Sequence, residues 1–264
     1  MVLVYVVLKI KCLTSALSKG EGVMNKVKMM KTIHLLCIIF LPFTLFSETG
    51  DSVKIKKLQI GITYSPDYNY RKLKSDASGK LIADIRDTME IGKYGYTTGI
   101  NFVYLINKKI SIASGLLLSD KGEQTKKYIL LNPANGVLPV NNRFIYHYMY
   151  LDIPVKANYY ILTGKLKLFV TAGVSANFFL TQKTTSILGY NSRSAEKKTT
   201  TVQSDFLKIN FAYTVGLGID YPISTKMNFK LEPIYRRSIT SVINAPVKSY
   251  LYSVGLNVGL YYQF

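Results

Sequence analysis

Downstream of residue 47 the chain carries one histidine, His147, the side chain best suited to proton transfer near neutral pH. As a catalytic base it would need a hydroxyl or thiol to activate and an acid to orient its ring. Its neighbours Tyr146, Tyr148, Tyr150 and Asp152 supply no such set, so a rim or lumen position is the simpler reading. A single histidine without a nearby cysteine also makes no zinc ligand set. No catalytic residue, metal or cofactor is expected. Gly216-Leu217-Gly218 and the glycines from Gly255 to Gly259 could pass for a phosphate-cradling loop. They sit inside alternating segments with no helix to follow, which excludes that chemistry.

The other residues able to do chemistry are charges at strand spacing. Asp152 and Lys156 share one strand face, Glu232 and Arg236 that of another strand, and Lys208 and Asp220 that of a third. They could form a relay or a ligand site. They could equally be ion pairs filling an interior, since a charge out of water needs a partner wherever it sits. The second reading asks less of the sequence.

What must position these charges is a set of strands. From Leu207 to Tyr221 every odd residue is large and apolar or aromatic, and every even one is small, polar or charged. A strand sends these sets to opposite faces, whereas a helix would mix them. The pattern recurs at residues 58–64, 94–106, 144–161, 167–182, 227–237 and 250–264, and less cleanly at 110–119. Connections alternate: 107–109, 162–165 and 222–226 are short, whereas 65–93, 119–143, 183–205 and 238–249 are long. Alternating turns and loops between dyad-repeat segments predict an all-β fold: an eight-stranded antiparallel up-and-down transmembrane β-barrel. Placing Lys208 and Asp220 toward lipid would be unfavourable, by about 2–4 kcal/mol for a basic residue at the midplane. The apolar face therefore points outward. Eight strands enclose a lumen that side chains can fill, so Asp152, Lys156, Lys208, Asp220, Glu232 and Arg236 are expected to pair inside.

The leader fits this setting. Met24 to Lys31 is basic, Ile33 to Phe46 is apolar, and the chain turns polar at Ser47. This reads as a cleavable signal peptide over residues 24–47. Residues 1–23 read as an upstream extension, and 48–264 as the barrel domain. Cys12 and Cys37 both fall before residue 48, so no disulfide framework holds the remainder. Setting aside the six lysines and one glutamate of residues 1–47 lowers the formal net charge from +19 to +14. The basic residues that remain are scattered rather than striped along a helix. Anionic lipid at the rims is the expected partner, and nucleic acid is not.

Two stretches go beyond general barrel grammar. Residues 150–160, YLDIPVKANYY, resemble the Tyr-Leu-Glu-Ile-Pro strand of PorT-type outer-membrane barrels, with Asp152 for the usual Glu. The last seven residues, VGLYYQF, look like a signal for the barrel-assembly machinery, with Tyr262 and Phe264 as its aromatic residues. The resemblance covers roughly residues 55–264. It implies an outer-membrane location and a signal peptide, and it brings no catalytic residues. PorT itself is tied to type IX secretion. The expectation is a non-enzymatic barrel whose outer loops bind an envelope-assembly or secretion partner. The alternatives are a small pore or transporter and an outer-membrane lipid-modifying enzyme.

Overall fold

A computed structural model describes residues 57–130, 139–191, 193–202 and 206–264. The expected signal peptide and upstream extension lie outside the described residues. Eight long strands close into a ring. They are β1 (Leu58–Ser75), β2 (Glu90–Leu105), β3 (Ile110–Lys121), β6 (Asn141–Thr163), β7 (Lys167–Gly189), β9 (Ile209–Pro222), β10 (Met227–Ser238) and β11 (Val247–Gln263). Each pairs antiparallel with the next. The ring is shut by β1 against β11, in register from Gln59↔Gln263 to Ser75↔Val247. Closure leaves the membrane-spanning region without an open strand edge, which a bilayer interior demands.

The burial pattern is that of a soluble barrel turned inside out. Inward positions hold Gln59, Thr63, Asn101, Ser111, Asn158, Thr171, Asn177 and Asn210, all buried. Outward positions hold Ile62, Ile100, Phe102, Val155, Val174, Leu217, Val254 and Leu260, all exposed. Water would penalise that surface and hydrocarbon does not. Near the turn ends, Tyr104, Tyr159, Tyr221, Tyr262 and Phe264 are exposed, as aromatic residues at a membrane interface are. Pro233 lacks an N–H to donate, and pairing of β10 with β9 lapses at Glu232 and Pro233 before resuming at Ile234.

Several strands run well past the membrane. About 9–11 residues suffice to cross it, yet β6 and β7 each have 23 and β1 has 18. Residues 65–75, expected as loop, continue β1. Their inward positions stay small or polar (Ser65, Asp67, Asn69, Arg71), while the outward face turns polar at Lys72 and Lys74. The alternation persists and only the greasy exterior ends. Three short strands complete the outer end: β4 (Glu123–Thr125), β5 (Tyr128–Ile129) and β8 (Glu196–Val202). One helix, α1 (Lys80–Met89), bridges β1 to β2 and packs through Ala83 against Leu73 and Val247.

Candidate functional site

Inside the membrane span, charges meet partners layer by layer. Glu232 accepts from Lys156 at 3.3 Å and from Asn257 at 3.0 Å. Asp220 accepts from Asn228 at 2.6 Å and from Tyr160 at 3.3 Å, and pairs with Lys230 at 3.3 Å. Asp67 accepts from Arg236 at 2.9 Å, from Ser65 at 2.7 Å and from Thr97 at 2.5 Å. Asp152 accepts from Ser119 at 2.8 Å and pairs with Lys121 at 2.9 Å. The six charges picked from the sequence thus divide. Lys156 and Glu232 meet each other, and Asp152, Asp220 and Arg236 meet Lys121, Lys230 and Asp67 instead. Lys208 does not join them: β9 begins at Ile209, which leaves Lys208 exposed in the preceding bend.

Above this filled lumen lies the part of the molecule with most chemical capacity. Arg71, fully buried on β1, donates Nε to Glu90 at 2.8 Å and Nη1 to Asp87 of α1 at 2.8 Å; its Nη2 also bonds Glu90. Arg86, one turn back on α1, donates Nε to Glu90 at 2.9 Å and reaches Glu123 of β4 at 3.5 Å. Tyr148 of β6 donates its hydroxyl to Glu123 Oε1 at 2.8 Å. Among the described residues, the other carboxyl oxygen of Glu123 is buried without a hydrogen-bond partner. Gly122 makes this placement possible. It has φ +131°, in the left-handed region that glycine tolerates, and a Cβ there would strike the Tyr146 carbonyl.

Burial and the charge of Glu90 push the Glu123 carboxyl up to about 7, against the bond from Tyr148 and the nearby Arg71 and Arg86. Burial alone would lower the Arg71 guanidinium, but the Glu90 charge and its bonds to Asp87 and Glu90 carry it above its ordinary value. Burial and the Glu123 charge hold the Tyr148 hydroxyl well above its usual range.

These groups border a cavity of about 270 Å³, lined by Arg86, Glu90, Glu123, Tyr146, Tyr148 and Phe206 among others. Its apolar side is a stack of rings. Tyr148 lies 4.6 Å from Phe206, and Phe206 lies 4.8 Å from Phe179 with nearly parallel planes. Val242 and Leu251 close the cluster. An isolated bridge pairs Phe206 with Ile243.

A family model described as an outer membrane protein beta-barrel domain matches residues 46–244. The chain belongs to that family. It is an outer-membrane β-barrel protein, and its exposed apolar belt is the surface that contacts lipid. Among solved structures, the neisserial surface protein NspA is similar at 13% identity with a TM-score of 0.44, over 78% of this chain and 97% of that one. OprG of Pseudomonas aeruginosa shows 14% identity and a TM-score of 0.37, over 79% and 96%. Ail, the attachment invasion locus protein of Yersinia pestis, shows 13% and 0.33, over 77% and 97%. No curated protein matches the chain.

Within this family barrel, His147 sits beside the outer network. Its Nδ1 lies 3.0 Å from Lys93 Nζ and 2.9 Å from Asp120 Oδ2, and Lys93 also bonds Asp120 at 2.8 Å. Its partners are an amine and a carboxylate. Tyr148 points inward and is buried. At the chain end, Tyr262 and Phe264 pack edge to face at 4.9 Å, and the Phe264 N–H donates to Leu58 O at 3.0 Å.

Sequence reasoning missed the Arg71–Arg86–Glu90–Glu123 network because all four residues lie in stretches taken as loops. The outward spacing of Leu81, Ile85 and Met89, one residue per helical turn, was the signal that could have revealed α1.

Proposed function

We propose that this protein is a non-catalytic component of the outer membrane that binds a partner protein of the cell envelope at its outer end. The observation carrying the reading is the outward face of α1. Leu81, Ile82, Ile85 and Met89 are all exposed, and they occupy one sector of the helix. The opposite side is pinned to the barrel by Arg71–Asp87, Arg86–Glu90 and the Ala83 contact. An apolar face held rigid in this way has little ordering entropy left to lose on binding. The PorT-type resemblance of residues 150–160 favours an assembly or secretion-accessory role over nutrient uptake. A conducting pore fits poorly with an interior whose charges are paired and buried from Asp67 to Asp220. A lipid-modifying enzyme fits poorly with a histidine bonded only to Lys93 and Asp120 among the described residues.

The test is a photo-activatable residue at Ile85 in intact cells. A discrete protein adduct is expected, and it should vanish when Ile82→Lys and Leu81→Lys are added to a barrel with unchanged heat-modifiable gel mobility. No adduct, or one indifferent to the lysines, would refute the proposal.

A further inference from the structure

We infer that the outer-mouth cavity is a binding site for a small organic cation, held by the carboxylates of Glu123 and Glu90 against aromatic walls. Four observations lead there, and none depends on what binds α1.

The first is a charge count. Among the described residues bordering the cavity, the acids Glu90 and Glu123 outnumber the one cation, Arg86; Arg71 bonds Glu90 from outside the lining, and Lys93 is engaged by Asp120. The second is the free valence. Arg71 bonds both Glu90 and Asp87, and Arg86 bonds Glu90 in two places, yet Glu123 Oε2 is buried with nothing to accept from among the described residues. A buried acceptor left unmatched is unfavourable, so a site that keeps one open needs a reason. The third is the lining. Tyr146, Tyr148 and Phe206 border the same space, and ring faces attract cations most strongly where water is excluded. The fourth is size. About 270 Å³ suits a molecule smaller than a typical drug. A neutral guest would leave the acid excess uncompensated, and an anion would add to it.

Glu123 also makes occupancy sensitive to pH. The groups around it are Arg71 on β1, Arg86 on α1, Glu90 and Lys93 on β2, and Tyr146, Tyr148 and Tyr150 on β6. Burial together with Glu90 leaves the carboxyl half-protonated near neutrality when the site is empty. A cation favours the ionised form, so binding expels a proton and tightens as pH rises.

The experiment is calorimetric titration of the full chain, purified in detergent, with benzylammonium. Benzyl alcohol and benzoate serve as shape-matched controls. Benzylammonium is expected to bind at least about tenfold more tightly than either control at about pH 8, and to weaken about tenfold by about pH 6. Its enthalpy near pH 7 should vary with the ionisation heat of the buffer, as proton release requires. Glu123→Gln keeps the shape of the side chain and should erase both the cation preference and the buffer dependence. Tyr148→Phe removes the donor that favours the carboxylate and should move the pH midpoint upward. Equal binding of cation and alcohol, no binding of any probe, or full preference in the Gln variant would each overturn the proposal. A Gln variant with lost heat-modifiable mobility would be read through Tyr148→Phe, whose pH midpoint must move.

Discussion

Replacing Glu123 by glutamine should stabilise the protein, and by an amount that grows with pH. The carboxyl ordinarily titrates at 4.5 and is pushed to about 7 in the folded barrel, where it is wholly buried. Between those values the native state holds a proton that the unfolded chain has released, so stability falls as pH rises. Below about pH 4.5 both states are protonated and the effect vanishes; above about pH 8 both are ionised and it is complete. At about 1.36 kcal/mol per pKa unit, the gap from 4.5 to about 7 is worth about 3 kcal/mol. Glutamine keeps an oxygen to accept from Tyr148 and cannot ionise. Urea unfolding in detergent micelles, followed by circular dichroism for both proteins across pH, reads the difference directly. The two curves should meet in acid and part by about 3 kcal/mol in mild alkali, with the glutamine variant ahead. A gap independent of pH would refute the reasoning. So would a wild type that is the more stable at high pH, because Arg71 and Arg86 would then be holding an ionised Glu123.

Other consequences follow from the same contacts. Lys156→Leu alone strands the buried Glu232 carboxylate and should lower unfolding stability by about 3–5 kcal/mol, while adding Glu232→Leu should restore most of it, measured by the same unfolding curves. Gly122→Ala places a Cβ against the Tyr146 carbonyl in a left-handed backbone position; a loss of at least about 1–2 kcal/mol is expected, together with loss of the pH effect attributed to Glu123. Gly255→Ala crowds the Asp67 carboxylate and should displace its bond to Arg236, seen as lower unfolding stability. Deleting Phe264 removes the Tyr262 ring contact and the closing bond to Leu58, and should reduce the outer-membrane level in fractionated cells.

The lipid-facing architecture was legible because two-residue periodicity records which face meets hydrocarbon, as in β9, where Leu217 points out and Asp220 in. The outer end was much less so. Residues 65–75 keep the alternation, but their exterior passes from Tyr68 and Tyr70 to Lys72 and Lys74, so a criterion built on grease loses them. Inward pairing was legible only by parity. Which lysine meets Asp152 depends on the stagger between β3 and β6, where Leu117 rather than a charged residue lies opposite, and no single-strand pattern encodes that. Lys208 shows the reverse failure: its parity is right and its height is wrong, one residue before β9 begins. The even parity of Tyr148 matches Asp152 and Lys156, and all three point in.

The most direct test of an inverted barrel with its long strands outside the cell is cysteine accessibility in intact cells. With Cys12 and Cys37 replaced by serine, single cysteines are placed by Lys198→Cys in β8 and Lys108→Cys in the β2–β3 turn. A membrane-impermeant maleimide should label position 198 fully and position 108 only after the cells are lysed. Labelling of 108 in intact cells, or protection of 198, would contradict the architecture from which the lumen pairs, the α1 face and the outer-mouth cavity are all argued.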